Sequence, residues 1–377
     1  MRAAVLVWTD QGWSEPLSGA LDSPGTIVLA FGSAARETIA ERIAELRGAF
    51  PRSLISGCST AGEILGEDIL DGSLVVTVMR FETATLRMTY ADVPLAAKSR
   101  CAGESIATDL AGPDLRAVFV LSDGLTVNGS ELIRGLNALL PADVMVTGGL
   151  AADGDRFAST WVISQGEAIS SRVMAVGFYG PSLRVGHGSR GGWDIFGPER
   201  VATRSEGNVL FELDGRPALD LYKEYLGELS AGLPATALLF PLAILGAGGQ
   251  ADIVVRTVLA VDEAQNSLTF AGDVPQGSTT QLMRANFDRL VDASATAVAE
   301  ASQGAIDPEV CIAISCVGRR LVLGERSWEE LSAARESLPA RTLQVGFYSY
   351  GEISPLATGA CDLHNQTMTV TTFAEVG

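Results

Sequence analysis

The sequence predicts an α+β fold of layered mixed β-sheets flanked by helices, arranged in two domains. Three observations support this prediction. Strand and helix patterns alternate in the N-terminal half, but neighbouring strand patterns interrupt the alternation, which favours mixed sheets. The chain has 377 residues and is 47% hydrophobic, enough for about two domains with substantial cores. Short motifs also recur near its two ends, which indicates two halves related by internal duplication.

Strands are predicted where apolar residues run or alternate between turn residues, and helices where they recur three and four positions apart. In the N-terminal half the predicted strands are residues 3–8, 26–31, 51–56, 74–81, 86–91, 117–121, 144–147, 161–163, 171–179 and 183–187. Helices are predicted at 33–48 and 103–110, and a third is capped by Asn128 or Ser130 and runs to Leu139. Residues 74–81 and 86–91 are expected to form a hairpin.

The second half begins after a glycine-rich stretch at 191–199. We place the domain boundary near Gly215, which gives an N-terminal domain of residues 1–215 and a C-terminal domain of 216–377. The predicted strands are two short ones within 201–213, followed by 238–245, 253–261, 268–271 and 310–316. The predicted helices are 216–226, 280–301 and 325–337.

The last part of the chain combines a rigid strand pattern with polar residues. Residues 345–350 predict a buried strand that carries Tyr348 and Tyr350 toward its end. Residues 361–363 and 367–372 are predicted as two arms of a hairpin, with His364 and Asn365 in its turn. Polar groups at strand ends are typical of a binding site. The alternative is a hairpin with merely polar tips.

Two echoes link the ends of the sequence. A strand pattern followed by Gly-Glu-Ile occurs at 55–64 and again at 345–353, and Val-Gly-Phe-Tyr occurs at 176–179 and at 345–348. If each half ends a strand in the same turn, Glu63 and Glu352 are expected to face a common cleft.

Charge and composition exclude several classes of partner. The formal charge is −18 and no basic stripe is visible, so neither nucleic acid nor an anionic membrane is an expected partner. We expect no targeting segment and no membrane span. The chain has five cysteines, an odd number, and is large enough to form a good core. We therefore expect reduced thiols in a cytoplasm and not a framework of disulfide bonds. With two histidines in the chain, a three-histidine metal site is excluded.

Motifs at five places resemble the FIST family, named for F-box and intracellular signal transduction proteins. They are GCSTAGE at 57–63, GGLAADG at 148–154, SCVGR at 315–319, GFYSYGEI at 346–353 and LHNQT at 363–367. The similarity covers almost the whole chain and implies a FIST N-terminal domain followed by a FIST C-terminal domain. The resemblance further implies a non-catalytic sensory module that binds a small ligand, with amino acids or their derivatives as the expected class.

The same resemblance implies how such a module signals. Bacterial members often act with histidine kinases or cyclic-dinucleotide enzymes, and one branch is described as a haem-binding sensor of nitric oxide. No output domain is recognisable here, so this protein is expected to signal through a separate partner. The motifs place Cys58, Ser59 and Thr60 among the expected ligand-binding residues.

Charged residues in these motifs suggest how an amino-acid-like ligand could be held. Arg319 could clamp a carboxylate with two parallel hydrogen bonds, and Glu63 or Glu352 could pair with an ammonium group. The alternatives are an ion pair between Arg319 and Glu325 or Glu352, and glutamates that accept bonds from nearby backbone amides.

Cysteine chemistry is the enzymatic alternative. Cys58 and Cys316 each follow a predicted buried strand, Arg319 could lower the pKa of the Cys316 thiol, and His364 is the candidate base. Free cysteines are more often small buried hydrophobes, which disfavours catalysis. A Cys316 thiol that contacts a ligand or is chemically modified is a better-supported interpretation than a nucleophile.

Two further features could hold a ligand or cofactor. The segment 148–155 could bring backbone N–H groups to an anion, and Asp153 with Asp155 could contribute to a cation site, although two aspartates are too few for Ca²⁺. Haem would need an axial ligand, for which His187 is one candidate and a cysteine the other. A histidine between glycines is more often a surface hydrogen-bonding group.

Overall fold

The computed structural model describes residues 1–32, 36–246, 249–303, 307–356 and 359–376; of residues 246 and 249–252 it describes the backbone only. The predicted α+β class is confirmed, with four sheets of mixed or antiparallel strands. The strands are β1 Arg2–Thr9, β2 Gly12–Trp13, β3 Thr26–Gly32, β4 Leu54–Ser59, β5 Glu63–Leu65, β6 Asp68–Leu70, β7 Leu74–Arg80, β8 Thr85–Asp92, β9 Leu115–Ser122, β10 Met145–Leu150, β11 Val162–Ser164, β12 Glu167–Ile169, β13 Arg172–Tyr179, β14 Leu183–Arg190, β15 Asp194–Glu206, β16 Val209–Leu213, β17 Arg216–Pro217, β18 Leu242–Gly246, β19 Gly249–Arg256, β20 Val258–Asp262, β21 Ser267–Phe270, β22 Thr279–Arg284, β23 Val310–Cys316, β24 Leu343–Ser349, β25 Gly351–Pro355, β26 Cys361–His364 and β27 Met368–Glu375.

Seven α-helices accompany these strands in the described part of the chain. They are α1 Arg36–Ala49, α2 Ser99–Leu110, α3 Gly129–Leu139, α4 Ala218–Leu226, α5 Phe287–Ala301, α6 Val317–Leu323 and α7 Ser327–Glu336. Short 3-10 turns lie at Ala96–Lys98, Gly227–Gly232, Ala235–Leu239 and Gly324–Arg326. In none of the described helices is there an apolar stretch long enough to cross a membrane.

Three sheets are built from the same unit. Each unit has an opening strand, two central strands, a hairpin, a last strand and its helices. Unit I comprises β1, β3, α1, β4, the hairpin β5–β6 and β7. Unit II comprises β8, α2, β9, α3, β10, the hairpin β11–β12 and β13, and unit III comprises β14, α5, β23, α6, α7, β24, the hairpin β25–β26 and β27. In each unit the two central strands are parallel, and the last strand pairs antiparallel with both the first central strand and the opening strand. The repeat is therefore threefold, whereas the sequence echoes suggested two halves.

The three units exchange their hairpins in a closed cycle. The hairpin of unit I pairs with β24 of unit III, that of unit III pairs with β10 of unit II, and that of unit II pairs with β4 of unit I. Each sheet consequently contains strands from two units. This exchange ties the N-terminal and C-terminal parts of the chain into one body.

Apolar side chains from all three sheets meet in a shared core. Alternate residues of the first central strand in each unit contribute to it, as the period of two in a strand requires. They are Ile27, Leu29 and Phe31 of β3, Ala117, Phe119 and Leu121 of β9, and Val310, Ile312 and Ile314 of β23. Helices cover the other faces; α1, for example, packs Ile39, Ile43 and Leu46 against Trp161 and Ile163.

A glycine stands at the same position of the second central strand in every unit. Gly57, Gly148 and Gly346 lie opposite Ala30, Val120 and Ala313 on the neighbouring strand. A Cβ atom at these glycines would lie 1.9, 1.9 and 1.7 Å from the carbonyl oxygens of those partners. Only glycine allows this close approach of the two backbones.

The fourth sheet is an insertion in unit III. Residues 194–284 leave the body after β14 and return at α5, and they form an eight-stranded sheet with helix α4. This inserted sheet has its own apolar core around Leu219, Tyr222 and Phe270. It packs against the body and contributes to the walls of two cavities.

Two predicted hairpins are wrong for the same reason. Strands β7 and β8 follow each other closely but belong to different sheets, and so do β26 and β27. In each case the chain passes from one sheet to the next instead of turning back. Strand patterns identify the strands correctly but carry no information on which sheet each one joins.

Several predicted boundaries also change. The helix predicted over 280–301 begins only at Phe287, because 279–284 forms β22 between β15 and β18. The strand predicted over 238–245 begins at Leu242. Residues 317–323, for which no element was predicted, form α6. The first helix is described from Arg36, and the part of its prediction at 33–35 lies outside the described residues.

Candidate functional site

A largely apolar cavity of about 740 Å³ lies between the inserted sheet and the body. The body contributes the loop after β9, the end of β10, the start of α6 and the region of Tyr350 and Asn365; the inserted sheet contributes 232–238, 257–259 and 270–273. Most of the lining is apolar. The lining includes Leu125, Val127, Leu150, Leu233, Leu238, Val258, Leu259, Phe270, Val317 and Leu321.

A few polar side chains interrupt this apolar wall. Asn365 is almost fully buried and donates from Nδ2 to the Tyr350 carbonyl at 3.4 Å, but its Oδ1 has no hydrogen-bond partner among the described residues. Thr257 is likewise buried, and its hydroxyl has no partner there. Unpaired buried polar atoms are uncommon and unfavourable, so they indicate a place where a ligand or water would be bound.

The rim of the cavity is organised around Tyr350. Its hydroxyl donates to the Asp153 carboxylate and accepts from the Phe157 N–H at 3.3 Å, and its ring stacks on Phe157 with 4.6 Å between centroids. Asp153 also accepts from the N–H groups of Ala158 and Ser159 at 3.0 and 2.9 Å and so fixes the loop that carries Phe157. Asp153 itself does not line the cavity. Of the two predicted tyrosines, Tyr350 lines the cavity and Tyr348 does not.

The body and the inserted sheet are linked beside the cavity. Asn128 caps α3 by accepting from the Glu131 N–H at 3.0 Å, and its Nδ2 donates to Asp273 of the inserted sheet at 3.1 Å. Asp123 fixes the loop after β9 by accepting from the N–H groups of Leu125 and Thr126 at 2.9 and 2.7 Å. The cavity wall is thus built from anchored backbone on both sides.

Cys316 lines the cavity at the end of β23, but its surroundings disfavour a thiolate. Burial raises the pKa of its thiol, and the nearby Glu352 carboxylate raises that pKa further. Cys58 lies at the end of β4, away from the cavity, and burial together with Glu63 raises its pKa as well. His364, the candidate base, lines a different cavity, and its Nε2 lies 3.1 Å from the Ser354 carbonyl. The geometry suits contact with a ligand better than nucleophilic attack.

Arg319 lies away from both cavities and is fully buried. Its guanidinium forms a two-pronged ion pair with Glu330 at 2.9 and 2.8 Å, and it also donates to the carbonyls of Gly191 and Leu290 at 2.6 and 2.7 Å. The partner is Glu330 of α7, neither Glu325 nor Glu352. Tyr348 joins this cluster by donating its hydroxyl to Glu330 at 2.9 Å. The geometry gives no support to a carboxylate clamp at Arg319.

Glu63 and Glu352 are buried anchors that line neither cavity. Glu63 accepts from Thr60 at 2.5 Å and from the hydroxyl of Ser73 at 2.6 Å, and burial raises its pKa to about 7. Glu352 accepts from Ser349 at 2.6 Å and from Thr367, and burial raises its pKa to about 8. Neither glutamate reaches an open cleft in the described structure.

Ser59 is also part of the interior. Its Oγ accepts from the Trp161 N–H at 3.1 Å, and its carbonyl accepts from the Ala152 N–H at 2.9 Å. Thr60 is bonded to Glu63 as described above. The GCSTAGE motif therefore joins two units of the body, and its predicted ligand contacts are not on the wall of either cavity.

A second cavity of about 980 Å³ lies on the other side of the wall formed by β26 and the inserted sheet. It is lined by both histidines of the chain, His187 on β14 and His364 at the end of β26. His364 Nε2 lies 3.1 Å from the Ser354 carbonyl, whereas Nδ1 of His187 has no hydrogen-bond partner among the described residues. Burial lowers the pKa of both imidazoles. Neighbouring residues His364 and Asn365 thus line opposite cavities.

Three of the predicted site residues, Cys316, Tyr350 and Asn365, come together at the 740 Å³ cavity. His364 and His187 come together at the second cavity. The prediction missed Thr257 and Phe157. No local motif marked Thr257, because the inserted sheet approaches the body only in the folded structure. Over the residues that the structure describes, no group of three or more metal-ligating side chains is found.

Comparison with known proteins places this geometry in context. Residues 26–216 match the FIST N domain, and residues 218–355 match the FIST C domain. The uncharacterized protein Rv0628c of Mycobacterium tuberculosis is 24% identical over 379 residues, covering 96% of this chain and 94% of the relative. The uncharacterized protein MJ1623 of Methanocaldococcus jannaschii is 27% identical over 269 residues, covering 64% and 50%.

One solved structure, a cyanuric acid hydrolase from A. caulinodans, aligns over 99% of both chains. Its sequence identity is 9% and its TM-score is 0.36. Such a score is too low to support a conclusion about fold or activity.

Proposed function

Since the chain belongs to the FIST family, with an N domain followed by a C domain, we propose that it is a sensory module that binds a small molecule in the 740 Å³ cavity. FIST domains in general are sensor domains of signal transduction. The observation that carries the proposal is the cavity wall itself, an apolar concave surface with the unpaired polar atoms of Asn365 and Thr257 in it. Ligand sites combine these two properties.

Binding is favoured over cysteine catalysis. The thiols of Cys316 and Cys58 have raised pKa values, and the two histidines line a cavity to which neither thiol belongs. A nucleophilic cysteine needs a lowered pKa and a base within hydrogen-bond distance. Cys316 then serves as one of the groups that contact the ligand.

Signalling would follow from the position of the cavity. A ligand that contacts both the inserted sheet and the body prefers the arrangement in which both walls are in place, so binding shifts the population toward that arrangement. A separate protein reads this shift; the family suggests a histidine kinase or a cyclic-dinucleotide enzyme of a bacterial cytoplasm. We also propose that the domains are 1–215 and 216–377, although the hairpin exchange means that each completes sheets of the other.

A thermal-shift screen of the purified chain against amino acids, their derivatives and other metabolites tests this proposal. A ligand present at 100 times its Kd adds about 2.7 kcal/mol of stability. The variant Ala271→Trp, which places an indole on the cavity wall, should lose the response to a true ligand, whereas Ala340→Trp at an exposed turn should keep it. A response that survives in Ala271→Trp, or a screen without any response, would contradict the proposal.

Haem is a second candidate ligand, and the cavity that holds both histidines is the observation that favours it. His187 has an unpaired Nδ1, and a lowered pKa keeps the imidazole neutral and able to ligate iron. Arg190 and Arg289 also line this cavity and could meet the propionates, although each already pairs with an acidic residue. Bound haem would supply an iron for nitric oxide. Titration with haemin should give a Soret band that His187→Ala removes; an unchanged band in that variant would exclude His187 as the ligand.

A further inference from the structure

The charged side chains that line the 740 Å³ cavity are all negative among the residues that the structure describes. In the described part of the chain its lining contains two aspartates, Asp155 and Asp273, and no lysine, arginine or histidine. Asp273 is already paired with Arg134 at 2.9 Å and with Asn128 at 3.1 Å. Asp155 is exposed at the rim, and its carboxylate has no hydrogen-bond or ion-pair partner among the described residues. An anion entering this cavity would lose its hydration without gaining a positively charged partner.

The arginines that lie behind the wall are already occupied. Arg256 is buried and donates to the carbonyls of Asp273 and Leu363 at 2.9 and 2.6 Å, and Arg134 is bonded to Glu131 and Asp273. Drawing either of them toward a ligand would leave a buried acceptor unpaired, which is unfavourable. The charged side chains available on the wall itself are therefore negative.

The unpaired buried atoms on the wall can both accept a hydrogen bond. Asn365 presents a carbonyl oxygen that accepts only, and the Thr257 hydroxyl can accept or donate. A ligand N–H group would give the Asn365 Oδ1 the partner that it lacks within the protein. A ligand carbonyl or carboxylate could not do so.

The mouth of the cavity is unusually apolar for a protein surface. Leu125, Phe157, Leu259 and Leu321 all line it, and their side chains are 41%, 49%, 43% and 47% exposed. Exposed large hydrophobic residues that gather around a single opening mark a binding site for an apolar molecule. The ligand body should therefore be apolar and should extend to the rim.

We propose that the cavity selects apolar molecules that are neutral or positively charged and carry an N–H donor, and that it rejects anions. Asn365 accepts the donor, the four rim residues cover the apolar body, and Asp155 adds attraction for a cationic amine. Free amino acids, nucleotides and other carboxylates or phosphates are excluded; amides and amines that lack a free carboxylate fit. This inference rests on the proposed function and names the ligand class of the same site.

Three compounds that share one apolar group but differ in charge test whether the cavity rejects anions. Cinnamamide is a neutral N–H donor, cinnamylamine is a cation at neutral pH, and cinnamate is an anion without a donor. Calorimetric titration of the full chain should give measurable binding of the amide and the amine, and at least about tenfold weaker binding of cinnamate, which corresponds to one 1.4 kcal/mol step. Binding of cinnamate as tight as that of cinnamamide would overturn the proposal.

Matched variants test the individual contacts. Asn365→Leu should weaken cinnamamide binding by roughly two- to tenfold, the range for one lost hydrogen bond. Gln366→Leu is the control, because Gln366 is buried with an unpaired amide but lies on neither cavity. Asp155→Asn should weaken cinnamylamine but not cinnamamide, and the exposed Asp10→Asn should change neither. Equal effects of Asn365→Leu and Gln366→Leu would contradict the assignment of the acceptor.

These experiments distinguish a wrong ligand class from a wrong ligand site. If none of the three compounds binds but the broader screen yields an anionic ligand whose binding Ala271→Trp abolishes, the site stands and the ligand class is wrong. If cinnamate alone binds and Ala271→Trp abolishes it, the conclusion is the same. If neither the compounds nor the screen gives a response that depends on the cavity, the proposed function fails as well.

Discussion

Glu63 and Glu352 occupy equivalent positions in units I and III, and each fixes the residue that precedes the last strand of its unit. Glu63 accepts from the N–H and hydroxyl of Ser73, and Glu352 accepts from the N–H and hydroxyl of Thr367. In unit II the N–H of the corresponding Ser171 is bound instead by Asp123. The glutamates that looked like ligand contacts in the sequence are therefore repeated structural anchors.

These anchors predict a pH dependence of stability. Burial raises the pKa of Glu352 to about 8 and that of Glu63 to about 7, against about 4.3 for an unfolded glutamate. Between these values the folded protein binds protons that the unfolded chain has lost, so the free energy of unfolding falls as pH rises. The buried histidines have lowered pKa values and act in the opposite direction, but only below about pH 6.5.

Between pH 7 and 8 the contribution of Glu352 is measured by comparison with a variant, because Glu63 at the start of this interval and the buried cysteine thiols at its end also have raised pKa values. The share of the fall in unfolding free energy that is due to Glu352 should be up to about 1.4 kcal/mol per pH unit. Glu352→Gln, a neutral isostere of the protonated acid, should remove that share and show a flatter profile than the wild type in urea unfolding at pH 7, 7.5 and 8. The exposed Glu336→Gln should keep the wild-type slope. Identical slopes in all three proteins would contradict the raised pKa.

The glycine positions of the central strands predict a large and specific destabilisation. Gly346→Ala would place a Cβ atom 1.7 Å from the Ala313 carbonyl oxygen, so β23 and β24 would have to separate. We expect a loss of at least about 3 kcal/mol of unfolding free energy. Gly48→Ala, in helix α1 with no atom within 4 Å, should be neutral or slightly stabilising. Similar stability of the two variants would contradict the close packing of the parallel strands.

Arg319 is predicted to act in folding and not in ligand contact. Arg319→Met leaves the Glu330 carboxylate buried without its ion-pair partner, and loss of one member of a buried pair costs about 3–5 kcal/mol. The exposed Arg326→Met, which also pairs with a carboxylate, should change stability little. Chemical denaturation of both variants checks this. An Arg319→Met protein with wild-type stability but without ligand binding would restore the carboxylate-clamp hypothesis.

Thiol reactivity separates the binding and enzymatic interpretations. Cys101 is exposed, whereas Cys58, Cys311, Cys316 and Cys361 are buried. In the folded protein one thiol per chain should react rapidly with Ellman's reagent, and Cys101→Ser should abolish that fast phase. The remaining thiols should react only on unfolding, because a buried thiol with a raised pKa is a poor nucleophile. A fast phase that persists in Cys101→Ser would instead favour a reactive Cys316 or Cys58.

The sequence predicted the individual elements better than their arrangement. The echo between 55–64 and 345–353 is real, since both segments run from the second central strand into the exchanged hairpin of their units. The echo between 176–179 and 345–348 is not, because β13 closes unit II whereas β24 is a central strand of unit III. Local patterns do not show which sheet a strand enters, so the threefold cycle could not be predicted.

The predicted site residues separate in the structure for a related reason. Asn365 and Tyr350 line the 740 Å³ cavity, as polar residues near strand ends often do. The sequence suggests Arg319 as a carboxylate clamp, because arginine favours two parallel hydrogen bonds, and Glu352 as a partner for an ammonium group. Their partners, Glu330 and Thr367, lie on later elements and meet them only after folding. Local spacing could not distinguish a buried ion pair from a free arginine.

The proposed ligand site is tested most directly by a crystal structure of the chain soaked with cinnamamide or with the strongest ligand from the screen. We predict ligand density in the 740 Å³ cavity, with an N–H group within hydrogen-bond distance of Asn365 Oδ1 and the apolar body against Leu125 and Leu321. Density in the cavity of His187 and His364, or at the surface with the 740 Å³ cavity empty, would contradict it.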